Sequence, residues 1–215
     1  MATVFYQCKV VEETMIESPE PFRILALGDS YTIGESVSED GRWPVQLAKA
    51  LELKLNREVT VDIIAKTGWR TDQLREAVSG THFSHEFDLV TLLIGVNNQY
   101  QGKDINDYPN EFKSCLDQAI ALAPALSDVV VVSIPDYAYT PFGQTKDPSK
   151  ISSEIDAYNA INQEITEERS IKYVPITDIT REGLTDPKLV APDGLHPSGE
   201  CYGRFVPRII KTLNL

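Results

Sequence analysis

The sequence predicts a single α/β domain in which helices cover both faces of a five-stranded parallel sheet. Short runs rich in Val, Ile and Leu alternate along the chain with longer segments whose apolar residues recur at helical spacing. The length of 215 residues and the hydrophobic content of 42% suffice for one complete core and are too small for two. We therefore expect a three-layer α/β/α sandwich with right-handed crossovers, whose ligands bind beyond the carboxyl ends of the strands.

These patterns place the elements in order along the chain. Strands are predicted at 23–28, 59–65, 87–94, 128–134 and 172–177. Helices are predicted at 43–55, 71–79, 109–124, 150–168 and 199–213. Pro109 suits the first turn of the third helix, where a missing backbone N–H is no loss.

Residues 1–22 are interpreted as an N-terminal appendage of unknown role, and residues 23–215 as the catalytic domain. The appendage is rich in glutamate and lacks the basic stretch and apolar run of a secretory signal. No run in the sequence approaches the length of a membrane span. We therefore expect a cytoplasmic protein without integral membrane association.

Charge and cysteine content narrow the classes of partner. With 20 Lys and Arg against 32 Asp and Glu, the net charge of −12 repels polyphosphates, which argues against nucleic acid as a partner. The three cysteines, Cys8, Cys115 and Cys201, are widely spaced and form no C-x-x-C pair. They are interpreted as reduced or packed thiols, neither a disulfide framework nor a zinc site.

Residues 23–34, which read R-I-L-A-L-G-D-S-Y-T-I-G, form the segment with the clearest chemical signal. A short apolar run stops at Gly28 and Asp29, so Ser30 falls where a buried strand turns sharply. A serine there projects above the carboxyl edge of the sheet, close to backbone N–H groups that can face a carbonyl oxygen. The alternative is an ordinary turn in which Asp29 and Ser30 make local hydrogen bonds.

Other polar residues follow later predicted strands or lie in the last loop. Gly68 follows the second strand, Asn97 the third, and Asp193 and His196 lie before the final helix. Taken singly, Gly68 is explained as a turn glycine, Asn97 as a turn former and His196 as a surface loop residue.

His82 and His85 have a spacing compatible with a metal site. No third ligand accompanies them, so a solvated loop is preferred and no metal is expected.

The motifs G-D-S, an isolated glycine, G-x-N and D-x-x-H occur in the order typical of one family, and across residues 23–213 the sequence resembles the SGNH (GDSL) hydrolase superfamily. The resemblance implies a flavodoxin-like parallel sheet and no cofactor. It implies Ser30 as nucleophile, His196 as base and Asp193 as the residue that orients the base. It also implies an oxyanion hole formed by the Ser30 N–H, the Gly68 N–H and the Asn97 amide.

Two positions depart from the family pattern. Tyr31 stands where leucine is common, and Asn98 stands where aspartate is usual. The first makes the substrate side of the turn more aromatic, and the second removes a carboxylate or gives its role to an amide. We predict that five aromatic residues line the substrate cleft, and the alternative is that they only pack against the protein. They are Tyr31, Trp69, Tyr100, Tyr137 and Phe142.

The resemblance implies a carboxylic ester hydrolase that forms an acyl-enzyme with a small-molecule ester. The absence of a bulky apolar lid favours short acyl groups on a neutral alcohol. An acyltransferase or thioesterase on the same scaffold is the alternative among enzymes. A catalytically silent binding module is the alternative from another class. The sequence does not indicate an oligomeric state.

Overall fold

The structure, a computed structural model, describes residues 20–213 and contains the predicted five-stranded parallel sheet. Of the predicted appendage, residues 1–19 lie outside the described range. The strands pair in the order β2-β1-β3-β4-β5, and every pair is parallel. Their bounds are β1 Phe22–Asp29, β2 Val59–Lys66, β3 Leu89–Leu93, β4 Val129–Val132 and β5 Lys172–Val174.

Five long helices lie close to their predicted positions, and the described part of the chain adds four short α-helices, one before the first long helix and three between later ones. The long helices are α2 Trp43–Leu55, α3 Thr71–Gly80, α5 Tyr108–Ala121, α7 Pro148–Glu168 and α9 Gly199–Thr212. The short helices are α1 Ser30–Ile33, α4 Val96–Tyr100, α6 Pro141–Gln144 and α8 Thr177–Thr180. Among these helices, none combines the length and the apolar character that a bilayer-spanning helix needs.

The strands β4 and β5 end earlier than predicted because other groups take over their hydrogen bonds. The Ile134 N–H donates to Asn159 Oδ1 of α7 at 2.8 Å, instead of to a strand neighbour. Pro175 has no N–H to donate, and the Ile176 N–H bonds the Ser133 hydroxyl at 2.8 Å. The chain therefore leaves the sheet after Val174 and enters α8 at a residue that we had predicted to be strand.

The register of the central strands brings their carboxyl ends level. Gly28 of β1 lies opposite Ala65 of β2 and Leu93 of β3, so the loops after these three strands begin at one edge of the sheet. β1 and β4 are almost wholly buried, whereas the edge strand β2 is only partly covered. The central strands therefore form a rigid base for the residues that follow them.

Candidate active site

Ser30 lies at the first position of α1, immediately after the last residue of β1. The Asp29 carboxylate caps this turn by accepting from the Tyr31 N–H at 3.0 Å. Gly34 ends the turn in the left-handed conformation, with φ of 72°. Gly28 permits the sharp bend, because a Cβ at that position would lie 2.1 Å from Thr32 Oγ1.

Asp29 is fully buried directly beside Ser30, and the sequence alone does not reveal this. Its Oδ2 accepts from Asn97 Nδ2 at 3.3 Å, while its Oδ1 holds the Tyr31 N–H. Burial raises the pKa of Asp29 to about 7, and these two hydrogen bonds offset only part of that effect. The carboxyl group therefore carries a proton in part of the population at neutral pH.

Asn97 is held in α4 with its amide turned toward the end of β1. Its Nδ2 donates to the Trp69 carbonyl at 3.1 Å as well as to Asp29. Gly95, with φ of 129°, makes the turn from β3 into α4 that brings Asn97 to this position. The amide is thus fixed between the loops that follow β1 and β2.

Asn98 is buried and points away from this position. Its Oδ1 accepts from the Thr71 N–H at 3.1 Å, and its Nδ2 donates to Glu111 Oε2 at 2.8 Å. An aspartate here would keep the first bond and lose the second, because it has no N–H to donate. The amide therefore makes the one bond that a carboxylate could also make and adds a second bond, to α5.

His196 and Asp193 form a hydrogen-bonded pair in the loop before α9. His196 Nδ1 lies 2.7 Å from Asp193 Oδ2, and the His196 N–H donates to Asp193 Oδ1 at 3.0 Å. The imidazole is almost completely buried and packs against Tyr31, with 5.1 Å between the ring centroids. The orientation of the ring is therefore set from two sides.

Asp193 keeps its negative charge at this partly exposed position. Burial acts to raise its pKa, but hydrogen bonds from the Ser36 hydroxyl, the imidazole and two backbone N–H groups lower the pKa to about 2. The Ser36 hydroxyl donates to Asp193 Oδ2 at 2.6 Å. The carboxylate is thus ionised throughout the range in which a histidine titrates.

A cavity of about 270 Å³ brings the predicted residues together at the carboxyl edge of the sheet. Ser30, Gly68, Asn97 and His196 all line this cavity, and Asp193 lies behind the imidazole. Four of the five predicted substrate-facing aromatic residues contribute to its walls, namely Tyr31, Tyr100, Tyr137 and Phe142. Further lining residues, which we did not predict, are Thr67, Val96 and Leu195.

Trp69 is the predicted aromatic residue that does not line the cavity. Its indole is partly buried against the hydrophobic core, and its carbonyl holds the Asn97 amide. Gly68, directly before it, has φ of 83° and open space around the position of a Cβ. This conformation agrees with the turn glycine that we weighed as an alternative, and the residue borders the cavity as well.

A wider cleft of about 1000 Å³ adjoins this cavity. Tyr100 and Tyr137 line both, and Tyr100 is 53% exposed at their border. Most of the other residues that line the cleft are polar or charged, among them Lys103, Lys150 and Glu154. A molecule can therefore extend from the apolar cavity into a polar cleft.

The other two histidines, and the cysteines Cys115 and Cys201, contribute to neither space. His85 lies 3.0 Å from Asp62 Oδ2 and packs on Phe87, and the described residues contain no group of three or more potential metal ligands. Cys115 and Cys201 are buried free thiols, and burial raises the pKa of each to about 12. Cys8 lies outside the described residues.

Comparisons with known proteins support a hydrolase of carboxylic esters. The family model of the GDSL-like lipase/acylhydrolase family matches residues 26–204. The chain belongs to this family. No curated protein sequence matches the chain significantly.

Solved structures show the same fold at low sequence identity. A variant of Axe2, an acetyl xylan esterase from Geobacillus stearothermophilus, has a TM-score of 0.69 and 18% identity, with 92% of this chain and 95% of that chain covered. A member of the lipolytic protein G-D-S-L family from Veillonella parvula has a TM-score of 0.70 and 16% identity, with 88% and 97% covered. The structure of TesA has a TM-score of 0.69 and 15% identity, with 89% and 98% covered.

Proposed function

We propose that the protein hydrolyses esters of short carboxylic acids through an acyl-enzyme on Ser30. The observation that carries the proposal is the Asp193–His196 pair, because the 2.7 Å contact at Nδ1 leaves the other ring nitrogen, Nε2, to accept a proton. The imidazole and Ser30 line the same cavity. The nucleophile, its base and the residue that orients the base are therefore available at one place.

The proposed reaction has two steps with a shared base. His196 accepts the proton of the Ser30 hydroxyl while the oxygen attacks the ester carbonyl, and the imidazolium then protonates the leaving alcohol. Water repeats the same sequence on the acyl-enzyme and releases the acid. Asp193 stays ionised and stabilises the imidazolium in both steps, which its low pKa supports.

The Ser30 N–H, the Gly68 N–H and the Asn97 amide are proposed to bind the oxyanion. In the structure Asn97 Nδ2 donates to the Trp69 carbonyl and, over a longer distance of 3.3 Å, to Asp29. The longer and weaker bond is the one that a substrate oxyanion replaces. A donor of this kind typically stabilises the transition state by about 3 to 4 kcal/mol.

The two connected spaces support a division of the substrate. The smaller cavity, with apolar walls such as Val96, Phe142 and Leu195, is proposed to receive the acyl group. The larger polar cleft beyond Tyr100 is proposed to receive the alcohol. The similarity to an acetyl xylan esterase supports a short acyl group on a polar alcohol.

A panel of p-nitrophenyl esters tests the acyl-chain preference. Each methylene that enters the apolar cavity is expected to raise kcat/KM by up to about fourfold, which corresponds to about 0.8 kcal/mol. The gain should stop within the first members of the series, because the cavity holds only about 270 Å³. Rates that continue to increase to long chains would contradict the assignment of a short acyl group.

Three variants test the catalytic assignment with an activated acetate ester. Ser30→Ala and His196→Ala should each remove nearly all turnover, and the double variant should be little worse than either single variant, because the two residues act as one unit. Ser170→Ala, at an exposed serine that lines neither space, is the matched control and should retain wild-type rates. Circular dichroism checks that all variants are folded.

The outcome separates the candidate classes. Near-wild-type turnover in Ser30→Ala would show that the serine is only a turn residue. Binding of an ester without turnover by the wild-type protein would indicate a catalytically silent binding module. Addition of an acceptor alcohol distinguishes a hydrolase, which releases the free acid, from an acyltransferase, which forms a new ester.

A further inference from the structure

Ser36 contacts the proposed catalytic machinery although it belongs to none of the family motifs. Its hydroxyl donates to Asp193 Oδ2 at 2.6 Å, and the two residues are 157 positions apart in the chain. Ser36 follows the Ser30 turn by a few residues, whereas Asp193 belongs to the loop before α9. The bond therefore joins the loop of the proposed nucleophile to the loop of the proposed base.

The backbone of Ser36 is in a conformation that side chains disfavour. Its φ is 62°, and the left-handed region costs a non-glycine residue about 1 to 2 kcal/mol. Asn56 and Ser170, which also have positive φ, follow the ends of the long helices α2 and α7. The turn at α1 is already ended by Gly34, so the end of a helix does not explain the conformation of Ser36.

The Asp193 carboxylate is held from four directions. Oδ1 accepts from the N–H groups of Leu195 and His196 at 2.9 and 3.0 Å. Oδ2 accepts from the imidazole at 2.7 Å and from the Ser36 hydroxyl at 2.6 Å. Three of these donors come from the carboxylate's own loop, and Ser36 alone reaches it from another part of the chain.

We propose that Ser36 is a positioning residue, which anchors Asp193, and through it His196, to the loop that carries Ser30. The inference rests on the proposed function of the site. Without the hydroxyl, the loop before α9 retains its internal bonds and loses its direct bond to the nucleophile's side. The imidazole then samples more positions relative to Ser30, which lowers the rate of attack.

The bond has an electrostatic effect as well. The Ser36 hydroxyl donates a hydrogen bond to Asp193 Oδ2 and so draws negative charge from the oxygen that faces the imidazole. Asp193 therefore stabilises the imidazolium less than it would without this bond. The other titratable groups around the pair are Tyr31 of α1, Tyr202 and Cys201 of α9, Asp29 at the end of β1, and Asp136 and Tyr137 in the segment after β4. Removal of the hydroxyl should therefore favour the protonated ring.

Two variants separate the hydroxyl from the backbone conformation. Ser36→Gly removes the hydroxyl and suits the left-handed conformation, whereas Ser36→Ala removes the hydroxyl and keeps the strain. Each is expected to lower kcat about tenfold, the effect of one hydrogen bond to a charged group, and to leave KM nearly unchanged, because Ser36 does not line the cavity. In both variants the midpoint of the acid limb of the rate profile should move up by about half a pH unit.

Ser170→Gly and Ser170→Ala are the matched controls, because Ser170 has φ of 58° and is exposed after α7. They should change stability as the Ser36 pair does, without changing kcat or the pH profile. Recovery of wild-type kinetics in Ser36→Gly, with loss only in Ser36→Ala, would show that position 36 matters for its backbone alone. Wild-type kinetics in both Ser36 variants would overturn the proposal as well.

A measurement without turnover separates this inference from the proposed function. In a Ser30→Ala background, NMR of the His196 ring nitrogens as a function of pH reports ring protonation directly. Ser36→Gly should move that titration upward by about half a pH unit. If the wild-type protein hydrolyses no ester, the proposed function fails and the NMR result still decides whether Ser36 acts on the pair. An unchanged titration would overturn the role of Ser36 even in an active enzyme.

Discussion

Asn97 and Asn98 are adjacent, buried and chemically identical, and their amides serve different parts of the molecule. Asn97 lines the cavity and bonds the Trp69 carbonyl. Asn98 joins the start of α3 to α5 by its bonds to Thr71 and Glu111. Substitution of the first should therefore impair the chemistry, and substitution of the second should impair the fold.

Asn97→Ala is expected to lower kcat by about 100- to 1,000-fold with little effect on KM, since an oxyanion donor acts mainly in the transition state. Asn98→Ala should retain most of kcat and lose about 1 to 3 kcal/mol of unfolding free energy, because the buried Thr71 and the half-buried Glu111 lose their bonds. Steady-state kinetics and urea denaturation of both variants check the contrast. Equal losses of kcat in the two variants would show that the oxyanion role has been assigned to the wrong asparagine.

The buried Asp29 should make the free energy of unfolding depend on pH, in a direction that its raised pKa sets. Burial raises its pKa in the folded protein to about 7 from the ordinary 3.8, so between these values the folded state binds more protons than the unfolded chain. The free energy of unfolding therefore falls as the pH rises through this window. Below the window the group is protonated in both states and imposes no penalty.

Asp29→Asn removes this dependence, because the amide does not titrate. From about pH 4 to pH 8 its stability relative to the wild type should improve by roughly 2 to 4 kcal/mol. Urea denaturation at both pH values measures the difference. Asp107→Asn, at an exposed residue whose side chain does not cap its helix, should show no such trend. A difference in unfolding free energy between Asp29→Asn and the wild type that does not change with pH would contradict this prediction.

At the scale of elements, the junction between β3 and α4 depends on Gly95. Its φ of 129° is accessible to glycine, and a Cβ there would lie 2.0 Å from the Tyr108 hydroxyl. That hydroxyl lies 2.8 Å from Asn162 Oδ1 and 3.2 Å from the Ile94 carbonyl oxygen and donates its one proton to either acceptor, so it is not free to move away. The junction therefore fixes the position of α4, and with it Asn97.

Gly95→Ala is expected to destabilise the fold by more than about 2 kcal/mol and to lower kcat as well, because relief of the clash displaces α4. Gly102→Ala is the matched control: Gly102 also has positive φ, at 67°, and nothing lies near its Cβ position. It should lose only about 1 to 2 kcal/mol and retain kcat, because Gly102 borders the larger cleft, which contains neither Ser30 nor His196. Thermal denaturation and kinetics of both variants distinguish the effect of backbone strain alone from the effect of displacing α4.

The long elements were predictable because each carries its own periodic pattern, and helix α2 has the predicted bounds. The short helices of four or five residues were not, since a single turn is too short to form without tertiary contacts. The ends of β4 and β5 depend on Asn159 and Ser133, which replace strand partners from outside the local sequence. Local pattern therefore identified the elements, and tertiary contacts decided where several of them end.

The candidate site likewise contains residues that the sequence predicts and residues that only the structure reveals. Motif order identified Ser30 and His196, both of which line the cavity. Ser36 is an exposed loop serine with no pattern around it, so its bond to Asp193 could not be predicted. The burial of Asp29 likewise depends on its neighbours in space. Trp69 was predicted from its aromatic character to face substrate, and it contributes a backbone carbonyl instead.

At the scale of the whole molecule, Gln46 of α2 links an early and a late segment of the chain. Its Nε2 donates to the carbonyls of Gly41 and Gly199 at 2.8 and 2.9 Å, and so bridges the loop before α2 and the first residue of α9. The His196 loop leads directly into α9. The amide therefore helps to hold the loop of the proposed base against the part of the chain that carries Ser30.

Gln46→Leu should leave both carbonyls without their donor and cost about 1 to 3 kcal/mol of unfolding free energy. A several-fold loss of kcat should accompany it, because α9 and its preceding loop lose a fixed point. Gln163→Leu, on the exposed surface of α7, is the control and should change stability by no more than about 0.5 kcal/mol. Loss of stability with unchanged kcat would show that Gln46 supports the fold alone.

The bond between Ser36 and Asp193 spans 157 positions of the chain, and this has a consequence for biosynthesis. At a typical ribosomal rate of about 5 to 20 residues per second, the loop of the proposed nucleophile is made roughly 8 to 30 s before the loop of the proposed base. During that interval a growing chain exposes an inert serine, because nothing has yet arrived to take its proton. A ribosome stalled before Asp193 should therefore display a chain without esterase activity, and release of the full chain should switch the activity on.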